Sequence, residues 1–399
     1  MLLNTLYIIP LMFPCGCRDI TTEAPVIYCR KRSDSSGPTS KPHRSQMSST
    51  ETSSGSTPFV TTVVGSLPKP AWLYEDTAMS EKFKELHGQG ASWALSGEAL
   101  QEAQNDAVRV AIHDQERAGI DIITDGEQRR KSYVTYVTRK LDGLDYETLA
   151  EKWVRGGRRL AQVGRCVGPV TRRGPMLVQD LRFAISEARS PLKVTMPGPM
   201  TVVDSILDIY YRDERALALA VADALNQEAR DLEAAGAAVI QFDEPLFSRY
   251  PEKVSQWGIE ALDRCIEGIE VETAVHICYS YPMPGVPRPI VPSYPEILPE
   301  VEKSKVRQVA LEFEAPALDP ALLRLCPSKT VIFGCVSNGS EEVESPEHIA
   351  SRLLEAARYH PPEKLQAAPD CGLVTLGQAS ARSKLASLAK GAELARQRL

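Results

Sequence analysis

Residues 272–280 read ETAVHICYS. The stretch is apolar or small through its middle and polar at its ends, which predicts a short, fully buried strand of a parallel sheet. Its C-terminal end carries His276 and Cys278. Alternate residues of a strand face the same side, so this imidazole and this thiol can grip one ion. Two more apolar runs end in the same manner, one in Leu311-Glu312-Phe313-Glu314 and one in Pro369-Asp370-Cys371-Gly372. Together the three ends offer one imidazole, two thiols and one or two carboxylates, a ligand set suited to a single Zn²⁺.

Outward from 272–280 the pattern repeats. FVTTVVGSLPKP (59–70) reads as a strand and loop. An amphipathic helix is expected over 97–118, stopped by Gly119, and IDIITDGEQRR (120–130) gives a second strand and loop. PLKVTMPGPMT (191–201), the helix 213–235 ending at Gly236, and AAVIQFDEP (237–245) continue the alternation. After 272–280 come VRQVALEFEAP (306–316), TVIFGCVSN (330–338) and LQAAPDCGL (365–373). Strands alternating with helices imply parallel pairing through right-handed crossovers. Eight such units predict an α/β fold, a (β/α)₈ barrel in a single domain over 59–399. The stretch 141–190 exceeds one unit and is expected to hold a helix plus an inserted hairpin around GRCVGPV.

The chemically distinctive residues, Ser66, Glu127, Asp243, His276, Cys278, Glu312 and Cys371, fall at the C-terminal ends of the expected strands. In a barrel those ends open on one face, where the active site is built. Neither GxGxxG nor GxxxxGK[ST] occurs, which argues against a Rossmann or P-loop enzyme.

Bulk properties exclude other classes. The 399 residues carry a formal charge of −6, against a nucleic-acid binder. No apolar run reaches the about 20 residues of a membrane span. Nine cysteines, several inside strand-like runs, point to reduced thiols and a cytoplasmic setting. Residues 1–17 are apolar but lack a basic start and are interrupted by Pro10 and Pro14, while 30–58 is rich in Ser, Thr, Pro and basic residues. Residues 1–58 are therefore expected to be a disordered leader, with Met47 as an alternative start. A mitochondrial transit peptide is the second reading.

VVGSLPKP, TDGEQRR, MPGPMT, FDEP, HICY, LEFE and PDCGL follow the order found in cobalamin-independent methionine synthases. Over residues 59–395 the chain resembles their C-terminal catalytic barrel and its short single-barrel relatives. The resemblance implies that His276, Cys278 and Cys371 bind zinc. It implies Glu312 as the carboxylate ligand, with Glu314, taken to point the same way, as the fallback. It implies that Val64, Gly65 and Ser66 hold an amino acid's carboxylate, and that Glu127 and Asp243 hold its ammonium group. Arg165-Cys166 matches a dipeptide that touches folate. The implied activity is zinc-dependent transfer of a methyl group to a thiol, L-homocysteine first among them, to give methionine. Partners would be the small-molecule thiol and the methyl donor, which a partner protein could deliver.

The donor side departs from the family. Ser205 stands where a Trp stacks on the pterin, Arg249 where a Glu binds folate, and Gly339 where a His donates a proton. The resemblance therefore keeps the thiol acceptor and leaves the donor open, as 5-methyltetrahydrofolate or another. Plainer readings stand beside these. Glu127 could pair with Arg129 or Arg130, Asp243-Glu244 could cap a helix or pair with Arg249, and Cys335 reads as core. The whole could serve alkyl transfer to another thiol, or a non-catalytic zinc-binding barrel.

Overall fold

Eight parallel staves close into a ring in the computed structural model, which describes residues 57–74, 93–280, 288 and 290–399. Seven are ladder strands: β1 (Val60–Thr61), β4 (Lys193–Pro197), β6 (Val239–Asp243), β7 (Glu272–Ile277), β8 (Gln308–Leu311), β9 (Thr330–Val336) and β10 (Leu365–Pro369). They pair in the order β1-β10-β9-β8-β7-β6-β4, all in parallel. The eighth is a two-residue bridge at 122–123. Ile122 pairs with Thr62 and Ile123 with Leu192, which joins β4 back to β1. This stave is short for a visible reason. The Asp121 carboxylate, not a neighbouring carbonyl, accepts from the Thr61 amide and hydroxyl, each at 2.8 Å. All eight expected strands are present.

The expected insertion is a hairpin of β2 (Leu141–Val154) and β3 (Arg159–Arg172), joined by β5 (Ile206–Asp208) into a separate three-stranded sheet. The expected helix, Val178–Glu187, follows it. The hairpin tip turns through Arg155, Gly156 and Gly157, all at positive φ. It is pinned to the loops at the strand ends: Asp204 accepts from the Arg155 amide at 2.9 Å, and the Tyr250 hydroxyl from the Gly156 amide at 3.0 Å.

The principal helices are α1 (Gly97–Ala118), α2 (Tyr133–Thr138), α3 (Val178–Glu187), α4 (Pro199–Asp204), α5 (Glu214–Ala234), α6 (Ile259–Cys265), α7 (Tyr294–Lys303), α8 (Pro346–Ala356) and α9 (Gln378–Arg396). Helix α1 stops at Gly119, whose φ of 86° gives the left-handed C-cap expected of it. Leu217, Val221, Leu225 and Leu232 on one face of α5 belong to the main core between helices and strands. Each such buried side chain contributes about 1.5–3 kcal/mol.

Inside the ring, Ile122, Val239, Ala274, Ala310, Ile332 and Ala368 form one apolar layer. Residues two positions further along several staves, Gln241, His276 and Glu312 among them, are polar. Strand alternation thus makes a dry floor and a polar ceiling at the C-terminal mouth. No helix among the described residues is long and apolar enough to cross a membrane. The leader expected over 1–58 lies outside the described residues, its last two excepted.

Candidate active site

Strand β7 delivers His276 and the turn just beyond it delivers Cys278. The turn after β10 delivers Cys371. Their donor atoms lie within 4.8 Å of one another. All three side chains are buried. Nε2 of His276 is 3.4 Å from Sγ of Cys371. The other ring nitrogen, Nδ1, is buried with no hydrogen-bond partner among the described residues. Buried polar atoms are rarely left unpaired.

The electrostatics favour a cation at this point. A hydrogen bond from Cys371, and then His276, holds the Cys278 thiol well below its ordinary pKa. That same bond, with burial, pushes Cys371 well above. Burial opposes a charged His276, but Cys278, Asp243 and Glu312 outweigh it and lift the imidazole to about 9. A soft cation could replace the protons these groups now share. Imidazole and thiolates are the donors that suit zinc, so the residues fit a zinc site.

Glu312 follows β8 and is fully buried. Its carboxylate accepts from Arg288 at 2.7 and 3.1 Å and from the Tyr279 amide at 3.2 Å. Burial, then Cys278, raises it to about 8 against the pull of Arg288. It stands beside the three donors, turned toward Arg288. Glu314 does not point the same way, contrary to the expectation from strand parity. It takes His348 at 2.6 Å and Arg352 at 3.1 Å. Strand β8 ends at Leu311, so alternation lapses beyond it.

The remaining expected residues largely converge on the same mouth. Glu127 sits at φ 54°, buried, and accepts from the Thr195 hydroxyl at 2.7 Å. Arg130 lies 3.8 Å from it. A Cβ on Gly65, in the segment after β1, would lie 2.7 Å from Oε1 of Glu127, so a side chain here would force Glu127 to shift. Ser66 is buried, and its carbonyl accepts from the Leu373 amide at 2.8 Å, which ties it to the Cys371 turn. Asp243 accepts from Gln241, whose amide also donates to the Val64 carbonyl at 2.9 Å. Burial lifts Asp243 to about 7, His276 opposing and Glu127 adding to the shift. Two acids that repel one another in a dry pocket are a natural seat for an ammonium group.

Glu244 belongs to the scaffold. It accepts from the Met200 and Thr201 amides and the Thr201 hydroxyl, and so caps α4. Arg165 and Cys166 are not drawn into the cluster. Arg165 pairs with Asp145 across the hairpin at 2.5 Å, and the buried Cys166 thiol faces the Gly168 carbonyl at 3.5 Å. Cys335 is core, its thiol on the Ala368 carbonyl.

Three contributors escaped the sequence reading. Asp370 accepts from the amides of Phe313, Glu314 and Ala315, at 2.9, 3.0 and 2.5 Å, and so fixes the turn that carries Glu312. Gln241 and Thr195 orient the two acids. Their only signal was inward parity with Asp243 on β6 and Pro197 on β4.

A family model described as cobalamin-independent synthase, catalytic domain, matches residues 59–394. The methionine synthase of Saccharolobus solfataricus is 34% identical over 342 residues, covering 85% of this chain and 95% of that protein. That of Sulfurisphaera tokodaii is 33% identical over 340 residues, covering 85% and 93%. Among solved structures, a B12-independent methionine synthase from Shewanella sp. W3-18-1, in complex with selenomethionine, superposes with a TM-score of 0.78 at 36% identity. It covers 86% of this chain and 98% of that one. A putative vitamin-B12 independent methionine synthase from Listeria monocytogenes shares the fold, with a TM-score of 0.64 at 19% identity over 85% of this chain and 98% of that one.

Proposed function

Since the chain belongs to the cobalamin-independent methionine synthase family, through its catalytic domain, we propose that it methylates the sulfur of L-homocysteine to give methionine. The observation that carries this is the convergence of His276, Cys278 and Cys371 within 4.8 Å in a mouth that also holds Glu127 and Asp243. We assign zinc to those three donors, with Glu312 as the fourth. Bound there, zinc would supply a Lewis acid that lowers the pKa of a substrate thiol.

The chain's own residues do the rest. Glu127 and Asp243 hold the ammonium group of the amino acid, and an ammonium between them keeps both ionised. Val64, Gly65 and Ser66 hold its carboxylate. The apolar layer below and the buried walls exclude water, so the sulfur is presented in one orientation. Positioning of this kind is worth up to about 7–11 kcal/mol in favourable intramolecular cases. The complex of the Shewanella relative with selenomethionine, a methionine analogue, supports a methionine-sized site. The six described cysteines form no disulfide, which supports a reducing compartment, the cytoplasm. Residues 59–399 are assigned to the catalytic barrel and 1–58 to a leader or extension.

The test is metal analysis of the purified full chain with X-ray absorption at the zinc edge. One zinc per chain that gains a sulfur neighbour on adding L-homocysteine is the expected result. Zinc whose spectrum ignores homocysteine would overturn the assignment.

A further inference from the structure

The stave at 122–123 is too short to cover the end of β4. Its bonds to that strand are the Ile123 amide on the Pro191 carbonyl at 3.0 Å and the Lys193 amide on the Ile123 carbonyl at 2.8 Å. Two residues further along β4 a side chain takes over. Nη1 of Arg130 donates to the Thr195 carbonyl at 2.8 Å, where a longer strand would have supplied an amide.

The same nitrogen donates to the Thr195 hydroxyl at 3.1 Å. A hydroxyl carries one proton and two lone pairs. With a lone pair committed to Arg130, the proton is left for Glu127, whose Oε1 accepts it at 2.7 Å. Nη1 itself lies 3.8 Å from that oxygen. Both contacts fall on Oε1, so the carboxylate is steered from one side.

Arg130 is itself fixed. It is 2% exposed, and its amide closes the turn on the Glu127 carbonyl at 3.0 Å. Its guanidinium lies 6.0 Å from the centre of the Tyr136 ring and 3.9 Å from the Asp125 carboxylate. Burial opposes its charge, but Asp125, Glu127 and Asp180 outweigh burial and hold its pKa above the ordinary arginine value. A neutral amide side chain would mend the strand edge at a smaller desolvation cost. The charge serves Glu127 instead. Glu127 adds to the upward shift of Asp243, so the two acids repel. Without a fixed partner the Glu127 side chain would swing away from Asp243.

We propose that Arg130 is a positioning residue for substrate selection. Through the Thr195 hydroxyl it holds Glu127 beside Asp243, so that the pocket takes an α-ammonium group and favours an amino acid over the same acid without its amine. This rests on the reading above that Glu127 and Asp243 seat the ammonium group.

The experiment is calorimetric titration of the full chain with L-homocysteine and with 4-mercaptobutyrate, which lacks only the α-amino group. Wild type should prefer L-homocysteine. Arg130→Met and Thr195→Val should each cut that preference about tenfold, the scale of a buried hydrogen bond to a charged group. The loss should fall on L-homocysteine and leave 4-mercaptobutyrate unchanged. Thr195→Ser, which keeps the hydroxyl, should keep most of the preference. Equal losses for both ligands, or an unchanged preference in both variants, overturn the proposal and leave Arg130 a structural residue. Thr195→Val keeps the volume and the strand carbonyl, so it decides the matter if Arg130→Met fails to fold. L-Methionine and 4-(methylthio)butyrate are titrated in parallel. If wild type ignores L-homocysteine but binds L-methionine with the same amine-dependent losses, the thiol substrate falls and the positioning role stands. If wild type binds neither amino acid, both fall.

Discussion

His276 Nε2 and Cys371 Sγ meet at 3.4 Å although 95 positions separate the residues. Their strands are not neighbours either, since β8 and β9 stand between β7 and β10. The contact therefore runs across the lumen of the barrel. A lumen contact adds little to the fold, because the strands are already held by their own ladders and by the outer core. Cys371→Ser should accordingly remove the metal without unfolding the chain, as a hydroxyl is a poor zinc donor beside a thiolate. Metal per chain should drop to near zero, and the metal-free melting temperature should move by only a few degrees. A serine variant that cannot fold would make this thiol a structural element instead.

Glu312 and Glu314 separate the carboxylate roles. Glu312 is buried against Arg288 beside the donors, while Glu314 is bound by His348 and Arg352 on the other side of the chain. Glu312→Gln should weaken zinc binding at least about tenfold, the scale on which even outer-shell partners of a metal act. Glu314→Gln should leave zinc affinity unchanged and cost about 1 kcal/mol or less, as for a partly exposed ion pair. Chelator competition on both variants checks this. Equal affinities would remove Glu312 from the site.

What the sequence disclosed here follows from what strand physics encodes locally. Every barrel stave is a short apolar run, and most are closed by Pro, Gly or an acid, so all eight could be read from local pattern alone. The donors His276, Cys278 and Cys371 were legible because they sit at or just past strand ends. Alternation failed one residue past its domain of validity. It aims Glu312 and Glu314 the same way, but the Asp370 carboxylate gathers three successive amides and turns the chain after Leu311. That is a contact between residues more than fifty positions apart, and no local pattern carries it. The same holds for the hairpin tip, which depends on where Asp204 and Tyr250 come to lie.

Gly65 packs directly against Glu127 in the proposed amino-acid pocket. A methyl group there would lie 2.7 Å from Oε1 of Glu127 and 3.1 Å from Cγ2 of Thr195. Glu127 would have to turn away and surrender its bond from the Thr195 hydroxyl. Gly65→Ala should therefore raise the KM for homocysteine about tenfold or more with a smaller change in kcat. Overpacking should also cost about 1–3 kcal/mol of stability. Steady-state kinetics with thermal melting would test it. An unchanged KM would mean that Glu127 does not hold the substrate.

Lys193 gives a prediction in pH. It sits on β4, 2% exposed, and its Nζ has no hydrogen-bond partner among the described residues. Burial lowers its pKa from 10.5 to about 7, with Asp243 pulling the other way. Between pH 7 and 10.5 the unfolded chain then binds a proton that the folded chain does not, so this group makes stability rise with pH across that window. Below pH 7 both states carry the proton and the full cost of burying the charge is present. Lys193→Met removes that cost while keeping the bulk. The variant should be more stable than wild type at pH 6, by an amount on the order of a few kcal/mol. The gain should shrink steadily as pH rises from 7 and be nearly gone by 10.5. Denaturant unfolding of both proteins at several pH values isolates the effect, because every other titrating group that Lys193 does not touch cancels in the difference. A variant less stable than wild type throughout would mean that the ammonium group is compensated in the folded protein, and that its pKa is not depressed.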